Sequence, residues 1–319
     1  MGRDKRVAVN QAIEANMSML AASTVSLVDR INAPEETTFS EWCQTYQSII
    51  EKRNLGISTL RNYQAWLTAA QSDLGHIAIN RIQTSDVAKH LRGYTERGVD
   101  ASAKLARSLL MDVFREAMAE GVSTGNPVAA TKPPRFKIGR ARLTCADFMA
   151  IRDASSCMPP WVQLGMDLAL LTAQRMGDVR NIRWANVHDS YAWVEQIKTG
   201  AKVCIPLNIS LDIIDTDLET VILRCHDFYS NADTTIASSK MLTLSEKMLT
   251  KYFAKAREAT GLKWDNDPPT FHEIRSLSAR LYTEKYGDSF AQKLLGHKSA
   301  EMTARYTDPR GSTWSMISV

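Results

Sequence analysis

Residues 268–306, PPTFHEIRSLSARLYTEKYGDSFAQKLLGHKSAEMTARY, are the stretch on which the reading of the whole chain turns. Pro268 and Pro269 stop the preceding chain, Thr270 stands where an N-cap belongs, and Phe271, Ile274, Leu277 and Leu281 recur at helical spacing. The pattern predicts a helix over 270–285 with those four side chains toward a core. Two shorter helices are expected at 289–295 and 299–305. His272 and Arg275 lie three apart, on one face of the first helix. Such a pair by itself reads as a surface or cap pair. A zinc-protease H-E-x-x-H motif is excluded, because position 276 is Ser. Further on come Gly296-His297 and, nine residues later, Tyr306.

Upstream, Thr144 is the expected cap of a helix reading TCADFMAIRDA, and residues 160–173 form a more apolar helix that belongs in a core. Arg175 follows it in LLTAQRMGDVRNIRW, where a short helix begins at Met176. Residues 191–197 and 202–205 are β-prone around a 198–201 turn, KTGA, so a hairpin is expected with Lys198 at its tip. A further helix is expected at 245–260. The second half is mostly helical with a small sheet.

The first half reads differently. Residues 7–22 have helix-forming composition and are followed by a turn-rich tether, so 1–37 is set apart as a helix and linker. From Thr38, an expected N-cap, Phe39, Trp42, Cys43, Tyr46, Ile49 and Ile50 follow helical spacing. A second helix begins at Ser58 with Leu60, Tyr63 and Leu67. A third begins at Thr84 with Val87, Leu91 and Tyr94, and a fourth runs from Ala101 to Glu120 with Leu105, Leu109, Val113 and Ala117 on its inner stripe. Residues 38–130 are therefore expected to be a compact helical domain. Residues 131–142 follow as an extended connector, kept irregular by Pro133, Pro134 and Gly139. Within it Lys132, Arg135, Lys137, Arg140 and Arg142 meet no acidic residue. Two readings of this run stand: a solvated linker, or a strap along a phosphate backbone. Residues 143–319 form the second domain.

The 319 residues suffice for about two domains with separate cores. At 44% hydrophobic and 23% charged the composition excludes a disordered or collagen-like chain. No run reaches the ~18 apolar residues of a membrane span; Trp161 to Ala173 is interrupted by Gln163 and Asp167. The N-terminus has no secretory signal, and a cytoplasmic location with no membrane association is expected. Five cysteines without a C-x-x-C pair argue against a disulfide framework or zinc ribbon, leaving reduced and mostly buried thiols. Residues 1–142 hold 19 basic against 14 acidic residues, and 143–319 hold 20 against 21. The excess positive charge belongs to the first half.

In chain order, Arg175, Lys198, His272-x-x-Arg275, His297 and Tyr306 resemble the constellation of the tyrosine recombinases, the phage integrase family. The likeness extends over essentially the whole chain from residue 2 and is strongest to the lambda-like integrases, through GRDKR near the start, ASAKLARS, FREAMAEG, DPPTFHEIRSLSARLY and LLGHKSAEMTARY. The resemblance implies a mainly α, two-domain DNA clamp with a small antiparallel sheet: a helical core-site binding domain and a catalytic domain. It implies a site-specific recombinase that integrates and excises a prophage, acting as a tetramer on double-stranded attachment sites through a Holliday junction. A host DNA-bending protein and a phage excisionase are the implied partners, and no metal or organic cofactor is implied. Lambda-like integrases carry a small N-terminal domain that grips distant arm sites, and this chain is expected to begin near its trailing helix.

The resemblance also distributes roles that the chemistry supports. Arg175 and Arg275 present planar forks to the non-bridging oxygens of a phosphate. Tyr306 is the implied nucleophile, forming a 3′-phosphotyrosyl link. A phenol of pKa ~10 needs help in losing its proton at neutral pH, and His272 is the candidate acceptor. Lys198 is the implied general acid for the leaving 5′-oxygen, and His297 a hydrogen-bond partner of the phosphate or support for the leaving group. Asp178 either orients a clamp residue or faces solvent. The 307–319 tail ends in WSMISV, which either packs on a neighbouring protomer or frays. The chain has no G-x-x-x-x-G-K-[ST] loop, which agrees with ATP-independent rejoining. K-T-G at 198–200 also occurs in penicillin-binding enzymes, but S-x-x-K and S-D-N are absent. The rival readings are a type IB topoisomerase, a resolvase of replicon dimers and a catalytically idle DNA-binding regulator.

Overall fold

The computed structural model describes residues 9–14, 16–17, 36–134 and 139–308, and the chain divides into two units, Met1–Lys137 and Ile138–Val319. The division falls within the basic connector.

In the first unit, residues 9–14 and 16–17 are helical, and four longer helices follow: α1 (Phe39–Glu51), α2 (Ile57–Leu74), α3 (Thr84–Glu96) and α4 (Asp100–Ala119). Thr38 caps α1 in a reciprocal capping box with Glu41. Phe39, Tyr46, Leu67, Leu110 and Phe114 are fully buried at the centre of this unit. Trp42 Nε1 donates to the Val113 carbonyl at 3.1 Å and Tyr46 OH to Asp112 at 2.6 Å, so the two large polar tips inside this core are satisfied. The inner stripe of α4 is Ala103, Ala106, Leu109, Leu110, Val113, Phe114 and Ala117; Leu105, expected there, is 52% exposed. One residue is 100° of helix, and the stripe that runs through Ala103 and Ala106 leaves Leu105 on the solvent side.

The second unit contains α5 (Cys145–Ala154), α6 (Trp161–Thr172), α7 (Met176–Val179), β1 (Val187–His188), β2 (Tyr191–Glu195), β3 (Lys202–Pro206), β4 (Ser210–Leu211), β5 (Thr216–Asp217), α8 (Leu218–Tyr229), α9 (Glu246–Ala259), α10 (His272–Tyr286), α11 (Asp288–Leu294) and α12 (Ala300–Thr307). The strands form an antiparallel β1-β2-β3 sheet and a separate β4-β5 pair. The fold is mainly α with small antiparallel sheets, as the resemblance implied. α6 is the central element: every residue except Gln163 is buried, and α8, α9 and α10 pack around it. Asp167 within it is held by a bidentate Arg152 pair at 2.6 and 2.8 Å, which compensates a charge that burial would otherwise disfavour.

Helix α8 goes beyond the elements expected from sequence. Its buried residues Leu218, Val221, Ile222, Cys225 and Tyr229 keep helical spacing, and Asp217 caps it by accepting from Thr220 N–H at 2.8 Å. At the start of α10 the expected cap is displaced. Phe271 already has helical backbone, no side chain caps the helix, and Thr270 serves through its carbonyl, which accepts from Glu273 N–H. All five cysteines are free, but only Cys43 and Cys225 are buried. Cys145 opens α5 on its solvent side, Cys157 lies in the turn beyond that helix, and Cys204 is on the outward face of β3.

Candidate active site

The rigid α6 ends at Thr172, and Ala173 then takes a left-handed φ of +54°, a conformation that costs a non-glycine residue about 1–2 kcal/mol. That reversal sets Gln174 inward and Arg175 beside the hairpin, where Arg175 Nη1 donates to Gln196 Oε1 at 2.7 Å. Gln196 is buried and ties the turn together. Its Nε2 donates to Gln174 Oε1 and to the Leu295 carbonyl, while its Oε1 also accepts from Thr199 Oγ1. Lys198 is exposed on this turn. Asp178 is buried rather than facing solvent, and its Oδ1 accepts from Ile197 N–H at 2.9 Å, so it orients the base of the same turn.

From α10 and α12 come the remaining groups. Arg175, Lys198, His272, His297 and Tyr306 line one cavity of about 640 Å³, together with Arg142, Glu273 and Ser276. Arg275 lies beneath them, 1% exposed. Its Nη1 donates to the Ala173 carbonyl at 2.5 Å and its Nη2 to the Leu295 carbonyl at 2.8 Å. The same Nη2 reaches His297 Nε2 at 3.2 Å, and the guanidinium carbon stands 5.3 Å from the Tyr306 ring centre. The Tyr306 ring is also 5.1 Å from that of His297 and 5.9 Å from that of His272.

Two cations inside a partly dehydrated cavity shape the histidines. Burial, and then Arg275 and Arg175, push His297 down to about 4. Burial and then Arg275 also hold His272 below the usual imidazole range. Both rings are therefore neutral near pH 7. Burial and the proximity of Arg175 weaken the hold of Arg275 on its proton, yet a guanidinium remains a cation at any physiological pH.

All six residues picked from the sequence meet in this one place. Of the connector residues, Lys132 and Arg140 are exposed, and Arg135 and Lys137 lie outside the described residues, as does the 309–319 tail. Arg142 turns inward, using all three guanidinium nitrogens on protein acceptors. Gln196, Glu273 and Thr303 escaped the sequence reading. Only the position of Glu273, beside a candidate proton acceptor on a helix that enters the core, gave any sign.

The sequence profile of the phage integrase family matches residues 143–312, and that of the phage integrase central domain matches residues 39–133. The integrase of Escherichia phage HK022 is 44% identical over 320 residues, which cover 100% of this chain and 89% of that protein. The integrase of Escherichia phage lambda is 40% identical, covering 100% and 90%. The chain belongs to the phage integrase family. This recombinase also matches solved structures throughout its length. A lambda integrase dimer bound to a COC′ core site aligns with a TM-score of 0.90 at 41% identity, covering 100% of this chain and 91% of that one. A lambda integrase tetramer bound to a Holliday junction aligns with a TM-score of 0.88 at 40% identity, with the same coverage. The enzyme is a DNA strand transferase that performs site-specific recombination by tyrosine chemistry.

Proposed function

We propose that the six clustered residues divide a single transesterification between them. Arg175 and Arg275 hold the non-bridging oxygens of the scissile phosphate and stabilise the charge that grows on them in the pentacoordinate transition state. The Tyr306 oxygen attacks phosphorus while its proton passes to His272, which burial and Arg275 keep neutral and ready to accept it. As the P–O5′ bond breaks, Lys198 delivers a proton to the leaving oxygen from the hairpin turn. His297, once the phosphate charge has favoured its protonation at Nε2, donates to the phosphate or supports the leaving group. The products are a 3′-phosphotyrosyl bond and a free 5′-hydroxyl, so the bond energy is conserved and the reverse step rejoins the strand.

The domain roles follow the same reading: 38–130 reads the core site, 131–142 straps the phosphate backbone through Lys132, Arg135, Lys137 and Arg140, and 143–319 performs the chemistry. Two such exchanges on paired sites, in a tetramer, give integration and excision of a prophage. A host DNA-bending protein and an excisionase complete the assembly. Both the DNA partner and the tetramer are supported by the lambda integrase complexes to which the chain is similar.

The observation that carries the proposal is the convergence of Tyr306, two arginines and two neutral imidazoles on one cavity. The experiment is incubation of wild type and Tyr306→Phe with nicked duplexes tiled across both junctions of the parent element, resolved on a denaturing gel. Wild type is expected to form a covalent adduct on one short sequence. Tyr306→Phe is expected to bind the same duplex with nearly unchanged affinity and form none. An adduct with the Phe variant overturns the assignment of the nucleophile, and relaxation of any supercoiled plasmid by single protomers favours the topoisomerase reading.

A further inference from the structure

Arg142 is the last residue of the basic connector, and its guanidinium reaches in three directions. Nη1 pairs with Glu273 Oε2 at 3.1 Å, Nη2 donates to the Arg305 carbonyl at 2.8 Å, and Nε donates to the Asp308 carbonyl at 3.0 Å. The side chains of Arg142 and Glu273 are 11% and 3% exposed, so the pair is largely withdrawn from water and its hydrogen bonds are charge-assisted. The two carbonyls flank Tyr306 at the end of α12. They stand at the C-terminal end of a helix, Asp308 being its C-cap, where a cation complements the helix dipole. Helix α12 has eight residues, of which only Thr303 is buried, so little apolar burial fixes its position.

The other end of the contact is equally specific. Glu273 lies in the first turn of α10, between His272 and Arg275. The backbone that carries Arg142 is itself fixed: Ala141 N–H donates to the Asp267 carbonyl at 2.8 Å, and Asp267 N–H to the Gly139 carbonyl at 3.1 Å. One rigid fork thus joins the turn that holds the candidate proton acceptor to the turn that holds the candidate nucleophile.

We propose that Arg142 and Glu273 are a positioning pair that seats Tyr306 against the scissile phosphate, an inference that rests on the reading of Tyr306 as nucleophile. Arg142 acts through the backbone on either side of the tyrosine and does not touch the phosphate. A lysine cannot reproduce a planar three-way fork, so it restores the function only in part.

The test separates seating from chemistry. In a Tyr306→Phe background a small nucleophile, hydrogen peroxide, replaces the phenol: its oxygen bonds phosphorus, the P–O5′ bond breaks and the leaving oxygen takes a proton. Misplacing the reacting oxygen by about 1 Å costs on the order of 10²-fold in rate. Arg142→Ala is expected to slow adduct formation on a nicked core site by about that factor, with Arg142→Lys between it and wild type and Glu273→Gln close to the alanine variant. Arg142→Ala in the Phe background is expected to leave peroxide-driven cleavage unchanged, whereas Arg175→Ala abolishes it. Independently of any cleavage, hydrogen exchange is expected to rise over residues 300–308 in Arg142→Ala while α10 stays protected. Loss of peroxide-driven cleavage together with adduct formation places Arg142 on the phosphate and overturns the proposal. Unchanged adduct formation, or unchanged exchange over 300–308, overturns it as well. Absence of any wild-type adduct refutes the nucleophile assignment instead, and the exchange measurement still reads the pair.

Discussion

His297 makes two hydrogen bonds that fit one protonation state. Arg275 Nη2 can only donate, so His297 Nε2, 3.2 Å away, must accept, and the ring proton then sits on Nδ1 and is donated to Thr303 Oγ1 at 3.0 Å. A neutral ring held in this tautomer agrees with the depression of its pKa to about 4 by burial and the two arginines. An unfolded histidine titrates near ~6.5, so between that pH and about 4 the unfolded chain binds the proton and the folded chain does not. The contribution of His297 to stability is therefore complete above pH ~6.5 and is lost as pH falls toward about 4. Nitrogen NMR of the DNA-free enzyme at pH 6 is expected to show a neutral, Nδ1-protonated ring. Binding of a core-site duplex is expected to shift the titration upward, because the phosphate charge favours the imidazolium. An imidazolium signal at pH 6 without DNA contradicts this account. His297→Gln should flatten the acid side of the stability profile in the same pH window.

At the scale of elements, the hairpin bearing Lys198 is locked to the rest of the site by Gln196 and by the turn between α11 and α12. Gly296 in that turn has φ of +65°, and a Cβ there would stand 2.8 Å from Gln196 Nε2 and 3.1 Å from the Ala201 Cβ. Gly296→Ala combines left-handed strain with displacement of the hairpin. It is expected to lower stability by about 1–2 kcal/mol and to slow single-turnover cleavage while leaving duplex affinity nearly unchanged. Thermal melts and cleavage at saturating enzyme check both parts; full-rate cleavage by the variant shows that the Gln196 contacts do not place Lys198. This lock was not legible in the sequence. Arg175, Lys198, His272, Arg275, His297 and Tyr306 stood out because charged and titratable residues recur in a fixed order, and the helices that carry them obey simple spacing. Gln196, by contrast, is a neutral amide whose partners are 21, 22 and 99 residues away, and its role exists only once the chain has folded. The position of Glu273 gave a sign, but its partner, 131 residues upstream, was hidden in the same manner. Helix α8 differs, because the spacing of Leu218, Val221, Ile222, Cys225 and Tyr229 was in plain view. Leu105 was misplaced because it stands four residues before Leu109 and so extends an apolar i, i+4 row, whereas the buried stripe that packs on Phe39 and its neighbours runs back through Ala106 and Ala103.

For the whole molecule, the decisive asymmetry is of charge. Each unit has its own buried cluster, one centred on Phe39, Tyr46 and Phe114 and the other on α6, while the excess of basic over acidic residues is confined to 1–142. In the second unit Arg142, Arg152 and Arg275 are held on carbonyls and carboxylates, and over 143–319 the 20 basic residues are balanced by 21 acidic ones. Long-range attraction for a polyanion therefore has to come from the first unit and the connector, whereas the chemistry depends on short-range contacts that salt screens far less. The two contributions can be separated by ionic strength. Every phosphate neutralised by a basic side chain releases counterions and adds about 0.9 to the slope of log affinity against log salt on duplex DNA. Replacing Lys132, Arg135, Lys137 and Arg140 together by glutamine should reduce that slope by about 3–4, in proportion to the phosphates no longer neutralised. Cleavage of a nicked core site at saturating protein should stay within a few-fold of wild type, because none of the four belongs to the phosphate clamp. Fluorescence anisotropy titrations from low to physiological salt, paired with adduct formation at saturation, measure both quantities on one preparation. A slope that does not change would make the connector a solvated tether and move the phosphate contacts onto the helices of the first unit. A slope that falls along with saturated cleavage would instead mean that Arg140, two residues from Arg142, transmits DNA contact to the seat of Tyr306.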